Sequence, residues 1–289
     1  MSSKTLLIGL KADQFRHPLD REATTALKQL PGLDLAVRNL LGPLAEQIFY
    51  LDNIASSILV GEQQLPHLYR LLLDACQILD IEAPQLYIRQ HPAPNAYTFA
   101  VRGKQPFIVV HTSLIELLNP EEIQAVIAHE LGHLKCDHGV YLTLANLIIL
   151  AAGQLPELGG WLAQGLQAQM LQWVRCAEFT CDRAALLVAQ NPKVIASLLM
   201  KLAGGSPTLS SQLNVEAFLA QARAYDAVND QLGEMLKQAR TTDLTHPLPV
   251  LRAREIDRWA SSQPYQSLLQ MHLVQYNDGA ASRGGWRNW

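Results

Sequence analysis

The chain of 289 residues has no excess of either charge: 23 Lys and Arg stand against 26 Asp and Glu, a formal net charge of −3. That balance offers no basic surface for a polyanion, so no nucleic-acid partner is expected. Cysteine is scarce too. The four thiols, Cys76, Cys136, Cys176 and Cys181, form no C-x-x-C pair. A chain this size does not depend on disulfide staples, so reduced thiols in a cytosol-like, cytoplasmic compartment are expected. Long hydrophobic runs are missing. The most apolar stretch, residues 140–152, contains Asn146 and is shorter than the roughly 20 residues a spanning helix needs. Residues 161–173 carry Gln164, Gln167, Gln169 and Gln172. The expectation there is a helical hairpin, buried or resting on a membrane surface, which allows peripheral membrane association; a bilayer span is the lesser alternative. The first apolar run, residues 5–10, is too short for a secretion signal.

What is present is apolar mass: 49% of the residues are hydrophobic, enough for one large domain or two small ones with a substantial core. Helical spacing of apolar residues predicts helices from His17-Pro18 to Pro31-Gly32, from about 40 to 60, and over 65–79. The pattern then turns strand-like at 85–89, 97–101 and 107–110, with a hairpin turn expected at 102–105. Everything beyond reads as helix, including 194–202, 215–238 and 268–276, before a polar tail expected to be disordered. The expected architecture is α+β and mainly α, with a small sheet beside the helix that follows Pro120. The expected division is a helical region over 1–64, a main domain over 65–262, and a C-terminal helix and tail over 263–289.

The most informative stretch is His129-Glu130-Leu131-Gly132-His133. Residues four apart on a helix share a face, so both imidazoles can reach one metal ion, while Glu130 sits on the flank. That arrangement suits hydrolysis of an unactivated amide: zinc lowers the pKa of a water and the carboxylate takes its proton. The same spacing arises by accident in His- and Glu-rich helices with solvated side chains. Here Pro120-Glu121-Glu122 is a good helix start, and Ile123, Val126, Ile127, Leu131 and Leu134 form an apolar stripe. A half-buried helix leaves those polar groups in need of partners, and one zinc ion supplies them.

A catalytic zinc has three protein ligands and one open position. The extension H-E-x-x-H-x-x-G-x-x-H fails, because Cys136 and Gly139 stand where glycine and histidine are required. His138, five residues past His133, rotates off the ligand face of a continuing helix and is expected at the surface or supporting a ligand. Glu178 and Asp182 are four apart, so one helix face presents two carboxylates: one to bind zinc, the other to accept a hydrogen bond from a ligating histidine. The bland alternative is a solvated charge pair with Arg175 and Arg183. Cys136 and Cys181 are expected to be buried, inert thiols.

These residues resemble the HtpX-like and CAAX-prenyl-protease-like zinc endopeptidases, a gluzincin family. The resemblance covers about residues 65–258. It rests on Asn95-Ala96-Tyr97, Ile108-Val109-Val110, Leu114, Glu121-Glu122-Ile123, the zinc motif with His138, the Glu178/Asp182 pair, and Thr245-His246-Pro247 followed by Arg252. It implies a zincin-like fold, one Zn2+ held by His129, His133 and Glu178, support from Asp182, and Glu130 as general base. His246 and Arg252 are implied for the oxyanion donor and its neighbourhood, and a loop over residues 243–246 could instead set His246 on the metal in a latent state. Asn95, Ala96 and Tyr97 are expected to align an extended protein or peptide substrate along an edge strand, and proline at Tyr97 is expected to abolish cleavage. The integral-membrane members carry clear hydrophobic spans before and after the zinc helix; this chain has none convincing before it and only the short hairpin after it. The expected function is therefore zinc-dependent endopeptidase, in protein quality control or turnover. The rivals are a latent or chaperone-like binder with a structural zinc, and a hydrolase of small amides.

Overall fold

The computed structural model describes residues 4–29, 43–100, 105–139, 160–228 and 246–274. The apolar stretch 140–152, the hairpin turn at 102–104, the end of the helix expected over 215–238 and the C-terminal tail lie outside the described residues. In chain order the elements are α1 (Ala12–Phe15), α2 (Pro18–Lys28), α3 (Pro43–Ser56), β1 (Ile58–Leu59), α4 (Pro66–Leu79), β2 (Gln85–Arg89), β3 (Ala96–Phe99) and β4 (Phe107–His111). They continue with α5 (Thr112–Leu117), α6 (Pro120–Lys135), α7 (Gly160–Ala189), α8 (Pro192–Gly204), a 3-10 turn (Ser210–Gln212), α9 (Val215–Ala227), α10 (Pro249–Ala260) and α11 (Gln263–Val274). The fold is α+β and mainly helical, with one small mixed sheet.

The sheet order is β1-β2-β4-β3, with β2 and β4 parallel and both edge strands antiparallel to their neighbours. Side chains alternate between faces. Leu86, Ile88, Ile108 and Val110 enter the main core, whereas Tyr87, Phe107 and Val109 join Tyr97 and Phe99 in a separate cluster on the far face. β1 falls where the sequence pattern predicts the end of a helix: α3 stops at Ser56, and Ile58 and Leu59 pair with Ile88 and Tyr87.

α6 lies against α4, α7, α8 and β3. Its apolar stripe predicts a half-buried helix, but every residue from Glu122 to Leu134 is buried, because neighbours cover all its sides. A capping box starts it: the Asn119 side chain accepts from the Glu122 N–H, and Glu122 accepts from the Asn119 N–H, both at 2.9 Å. Glu122 also accepts from Ser197 and Lys201 of α8, each at 2.6 Å, so one buried carboxylate both caps α6 and ties it to α8. The N-terminal segment joins the same core through Leu7, Leu10 and Phe15, and α2 lies along α7.

Candidate active site

Two turns of α6 meet two turns of α7 where a side chain would not fit. A Cβ on Gly132 would lie 2.9 Å from Ala184 Cβ and 3.1 Å from Cys181 Cα. This approach sets His129 and His133 opposite Glu178 and Asp182. His129 Nε2 lies 3.3 Å from Glu178 Oε2, and His133 Nε2 lies 3.3 Å from Glu178 Oε1. All three side chains are buried, and so is Asp182. The solvated pair with Arg175 and Arg183 is therefore not what forms. Arg183 instead reaches the Phe15 and Arg16 carbonyls at 3.3 Å and lies over the Trp259 ring.

This donor set fits a zinc ion on two counts. Zinc bonds to nitrogen and oxygen of about 2.0–2.1 Å give tetrahedral ligand-to-ligand edges of about 3.3–3.4 Å, which the two His–Glu spacings match. Second, Glu178 Oε2 is buried without a hydrogen-bond partner, although His129 Nε2, Arg252 Nη1 and His246 Nε2 surround it at 3.3, 3.5 and 3.6 Å. An unsatisfied buried carboxylate oxygen is costly, and a cation among these atoms would satisfy it. The site's own field asks for positive charge. Burial alone would lower the His129 imidazole, but Glu178 and Asp182 outweigh it and hold His129 up at about 10. Burial likewise opposes ionisation of Glu178, yet the surrounding histidines bring its carboxyl well below the usual range. Among the described residues Cys181 is a competitor: its Sγ lies within 4.8 Å of ligand atoms of both histidines. Burial, and then the carboxylates around it, push that thiol well above its ordinary value in the metal-free site.

Asp182 accepts from Nδ1 of His129 at 3.1 Å, so Nε2, on the Glu178 side, is the nitrogen that a metal could take in place of its proton. Arg252 grips the same carboxylate with two donors and is itself buried. Its Nη1 lies 3.5 Å from Glu178 at the wall of the cavity. Glu130 is buried on the other flank of α6, and the Thr98 hydroxyl of β3 donates to its Oε2 at 2.7 Å. Thr98 is absent from the sequence-based candidates. Strand alternation could have found it, since it points inward between Tyr97 and Phe99, which face the far cluster.

His138 is fully buried, not at the surface. α6 ends at Lys135, and Asp137 adopts a left-handed φ of 57°, so a helical extrapolation does not reach His138. The chain folds back and sets His138 Nδ1 3.3 Å from His133 Nδ1, with Nε2 3.1 Å from Asp20 of α2. Burial holds the His138 imidazole down at about 4, against the pull of Asp20.

A cavity of about 370 Å³ opens on the ligand cluster. Asn95, Ala96, His129, Glu130, Glu178, Asp182, His246 and Arg252 line it, with an apolar wall from Leu114, Val126, Leu198 and Leu202. His246 is exposed at this cavity, while residues 243–245 lie outside the described residues. β3 is an edge strand, but Tyr97 does not present its amide to that edge. His111 N–H donates to Asn95 O, so opposite residues exchange hydrogen bonds at Asn95, Tyr97 and Phe99. The outward amides belong to Ala96 and Thr98, and proline at Tyr97 would break the β3–β4 ladder instead of a substrate contact.

The sequence profile of peptidase family M48 matches residues 62–260. The chain belongs to peptidase family M48. This M48 metallopeptidase is 59% identical over 266 residues to the plastoglobule-localized metallopeptidase 48, chloroplastic, of Arabidopsis thaliana, covering 92% of this chain and 77% of that protein. It is 29% identical over 191 residues to protease HtpX homolog 2 of Methanosarcina mazei, covering 56% of this chain and 64% of that protein. With the protease HtpX homolog of Moorella thermoacetica it shares 26% identity over 194 residues, 58% of this chain and 63% of that protein. No solved structure matches the chain. The cytoplasmic placement expected from the thiols finds no support among these relatives. Among the described residues no helix of this M48 peptidase is long and apolar enough to cross a membrane.

Proposed function

We propose that the chain is a zinc-dependent endopeptidase acting on extended protein segments, with His129, His133 and Glu178 as the ligands of one Zn2+ and Glu130 as general base. The observation that carries this reading is the convergence of two Nε2 atoms, each at 3.3 Å, on the two oxygens of one buried carboxylate whose Oε2 has no hydrogen-bond partner. When bound, zinc would lower the pKa of a water and polarise the scissile carbonyl. Glu130 takes the proton of the attacking water and delivers it to the leaving nitrogen, and Thr98 holds the carboxylate in place for both transfers. Asp182 fixes His129 in the tautomer whose Nε2 is free to bind, and Arg252 fixes Asp182; Arg252 is thus a positioning residue, not an oxyanion donor. His246, exposed at the same cavity, is the side-chain donor for the oxyanion. Outward amides of Ala96 and Thr98 pair with the substrate backbone beside Glu130.

Cleavage of casein by the wild type and by Glu130→Gln tests the mechanism, with zinc content measured in both. The expected outcome is one zinc in each and loss of cleavage in the variant only; equal cleavage by both would refute the base.

A second reading is a structural zinc closed by a fourth ligand, as in a latent or chaperone-like binder. The Cys181 thiol within 4.8 Å of both histidine donors is the observation that favours it. The intact Glu130–Thr98 bond argues for the open, catalytic site, since a closed structural zinc needs no base beside it. The similarity to a plastoglobule-localized protein supports a setting shared with that relative in place of a cytoplasmic one.

A further inference from the structure

We infer that Asp20, a residue of α2 outside the segment that matches the family, is a positioning residue of the metal centre: acting through His138, it keeps the Nε2 lone pair of His133 aimed at the zinc position. The inference rests on the zinc reading of the site. Three atoms of one relay carry it. Asp20 Oδ2 lies 3.1 Å from His138 Nε2, and His138 Nδ1 lies 3.3 Å from His133 Nδ1. An ionised carboxylate can only accept, so His138 must carry its proton on Nε2. Its Nδ1 is then a lone pair, and the facing His133 Nδ1 must be the donor. With a proton on Nδ1, His133 presents an unprotonated Nε2 to Glu178 and the metal position.

Arg16 is the competing influence. Its Nη1 lies 3.1 Å from His138 Nε2 and could donate there, which would reverse every proton in the relay. Asp20 prevents this. The same Nη1 lies 3.0 Å from Asp20 Oδ2, where it meets a charged acceptor, and Nη2 is held by the Cys136 carbonyl at 2.8 Å. Thr180 and Thr24 donate to Asp20 at 2.7 and 2.9 Å, so both carboxylate oxygens are fixed as acceptors. The Cys181 thiol, 3.8 Å from His138 Nδ1, is also placed to donate to that lone pair. α2 therefore does for His133 what Asp182 and Arg252 do for His129. Each ligating imidazole has its own carboxylate, one direct and one relayed through a second ring.

Removing the acceptor tests this. In Asp20→Ala the Arg16 guanidinium is left to donate to His138 Nε2, and the relay reverses. Zn2+ affinity, measured by competition with a chromophoric chelator, is expected to fall about 10- to 100-fold, the usual cost of losing a partner of a ligating imidazole. Asp20→Asn can keep a carbonyl oxygen at the Oδ2 position and is expected to restore most of that affinity. Long-range 1H–15N correlations in the wild-type protein read the tautomers directly, even if the alanine variant does not fold. They are expected to show His138 protonated on Nε2. A His138 proton on Nδ1, or undiminished Zn2+ affinity in a folded Asp20→Ala protein, overturns the inference while leaving the zinc site standing. A wild type that takes up no stoichiometric Zn2+ overturns the site reading itself, and this inference with it.

Discussion

Arg252 holds Asp182 by two hydrogen bonds, Nε to Oδ2 at 2.8 Å and Nη2 to Oδ1 at 2.6 Å. Oδ1 is the same oxygen that accepts from His129 Nδ1 at 3.1 Å. The planar fork of arginine matches both carboxylate oxygens at once, whereas lysine offers a single ammonium. Arg252→Lys is therefore expected to keep the charge but let Asp182 rotate, lowering Zn2+ affinity about 10- to 100-fold. Arg252→Met is expected to be worse, since it leaves the buried Asp182 with His129 as its remaining partner, and breaking a buried ion pair costs up to about 3–5 kcal/mol of stability. Chelator competition and urea unfolding separate the two effects. Full zinc affinity in the lysine variant would mean that the fork does not orient the ligand.

Thr98 touches the proposed base but none of the proposed ligands, which makes it a clean probe of Glu130. Thr98→Val keeps the shape and the strand, and deletes the 2.7 Å hydrogen bond to Glu130 Oε2. A hydrogen bond to a charged group contributes about 1.5–3 kcal/mol, so kcat is expected to fall by about tenfold or more. Zinc content and KM are expected to hold. A drop in zinc content instead would make Thr98 a support of the helix, not of the base.

How far the site could be read from the sequence follows from the range of each contact. His129 with His133, and Glu178 with Asp182, are each four apart on a helix, so their shared face is a local property of the chain. That α6 and α7 meet at Gly132 is not local; the motif asks only for a third ligand, and Glu178 stands out by its spacing from Asp182 and by resemblance. Arg252 was reached by resemblance, and its role could not be: whether a guanidinium faces a substrate or a carboxylate depends on where α10 docks. Of the two readings of His138, surface or support of a ligand, the second is what the fold gives, and the surface reading fails because the left-handed Asp137 ends the helix and turns the chain inward. Asp20 had no signal at all. Its partners His138 and Thr180 lie 118 and 160 residues away, and an Asp in the first turn of a helix has a sufficient local explanation as a dipole partner. The sheet was legible as three strands, but β1 was not, because two residues carry no period.

Asp20 also ties acid stability to the fold. Burial would raise its carboxyl, but His138, Arg16 and Thr180 outweigh that and hold it well below the ordinary 3.8. The folded value is thus lower than the unfolded one, and below about pH 4 the unfolded chain binds the proton first. The stabilisation is complete above that pH and drains away as the pH falls toward the folded value. Asp20→Asn cannot titrate, so the difference in unfolding free energy between wild type and variant is expected to shrink steadily from pH 4 to pH 2. A difference that stays constant over that range would show that Asp20 gains nothing from its charge in the fold.

The edge of β3 allows a sharper test of substrate pairing than Tyr97 does. Tyr97 exchanges its hydrogen bonds with Val109 of β4, so its replacement by proline damages the sheet whatever the substrate does. The Ala96 N–H points the other way, to the open edge beside Glu130, and proline there deletes an outward donor without removing a ladder bond. Ala96→Pro is expected to keep zinc content and thermal stability close to those of the wild type, while KM for casein rises severalfold, since one backbone hydrogen bond contributes about 0.5–1.5 kcal/mol. Cleavage of a dipeptide amide too short to span the strand is expected to change far less. If both substrates lose activity alike, the proline acts through the geometry of Glu130 and Thr98. If neither does, extended substrates are aligned by some other surface of the cavity, and the apolar wall of Leu114, Val126, Leu198 and Leu202 is the next place to test.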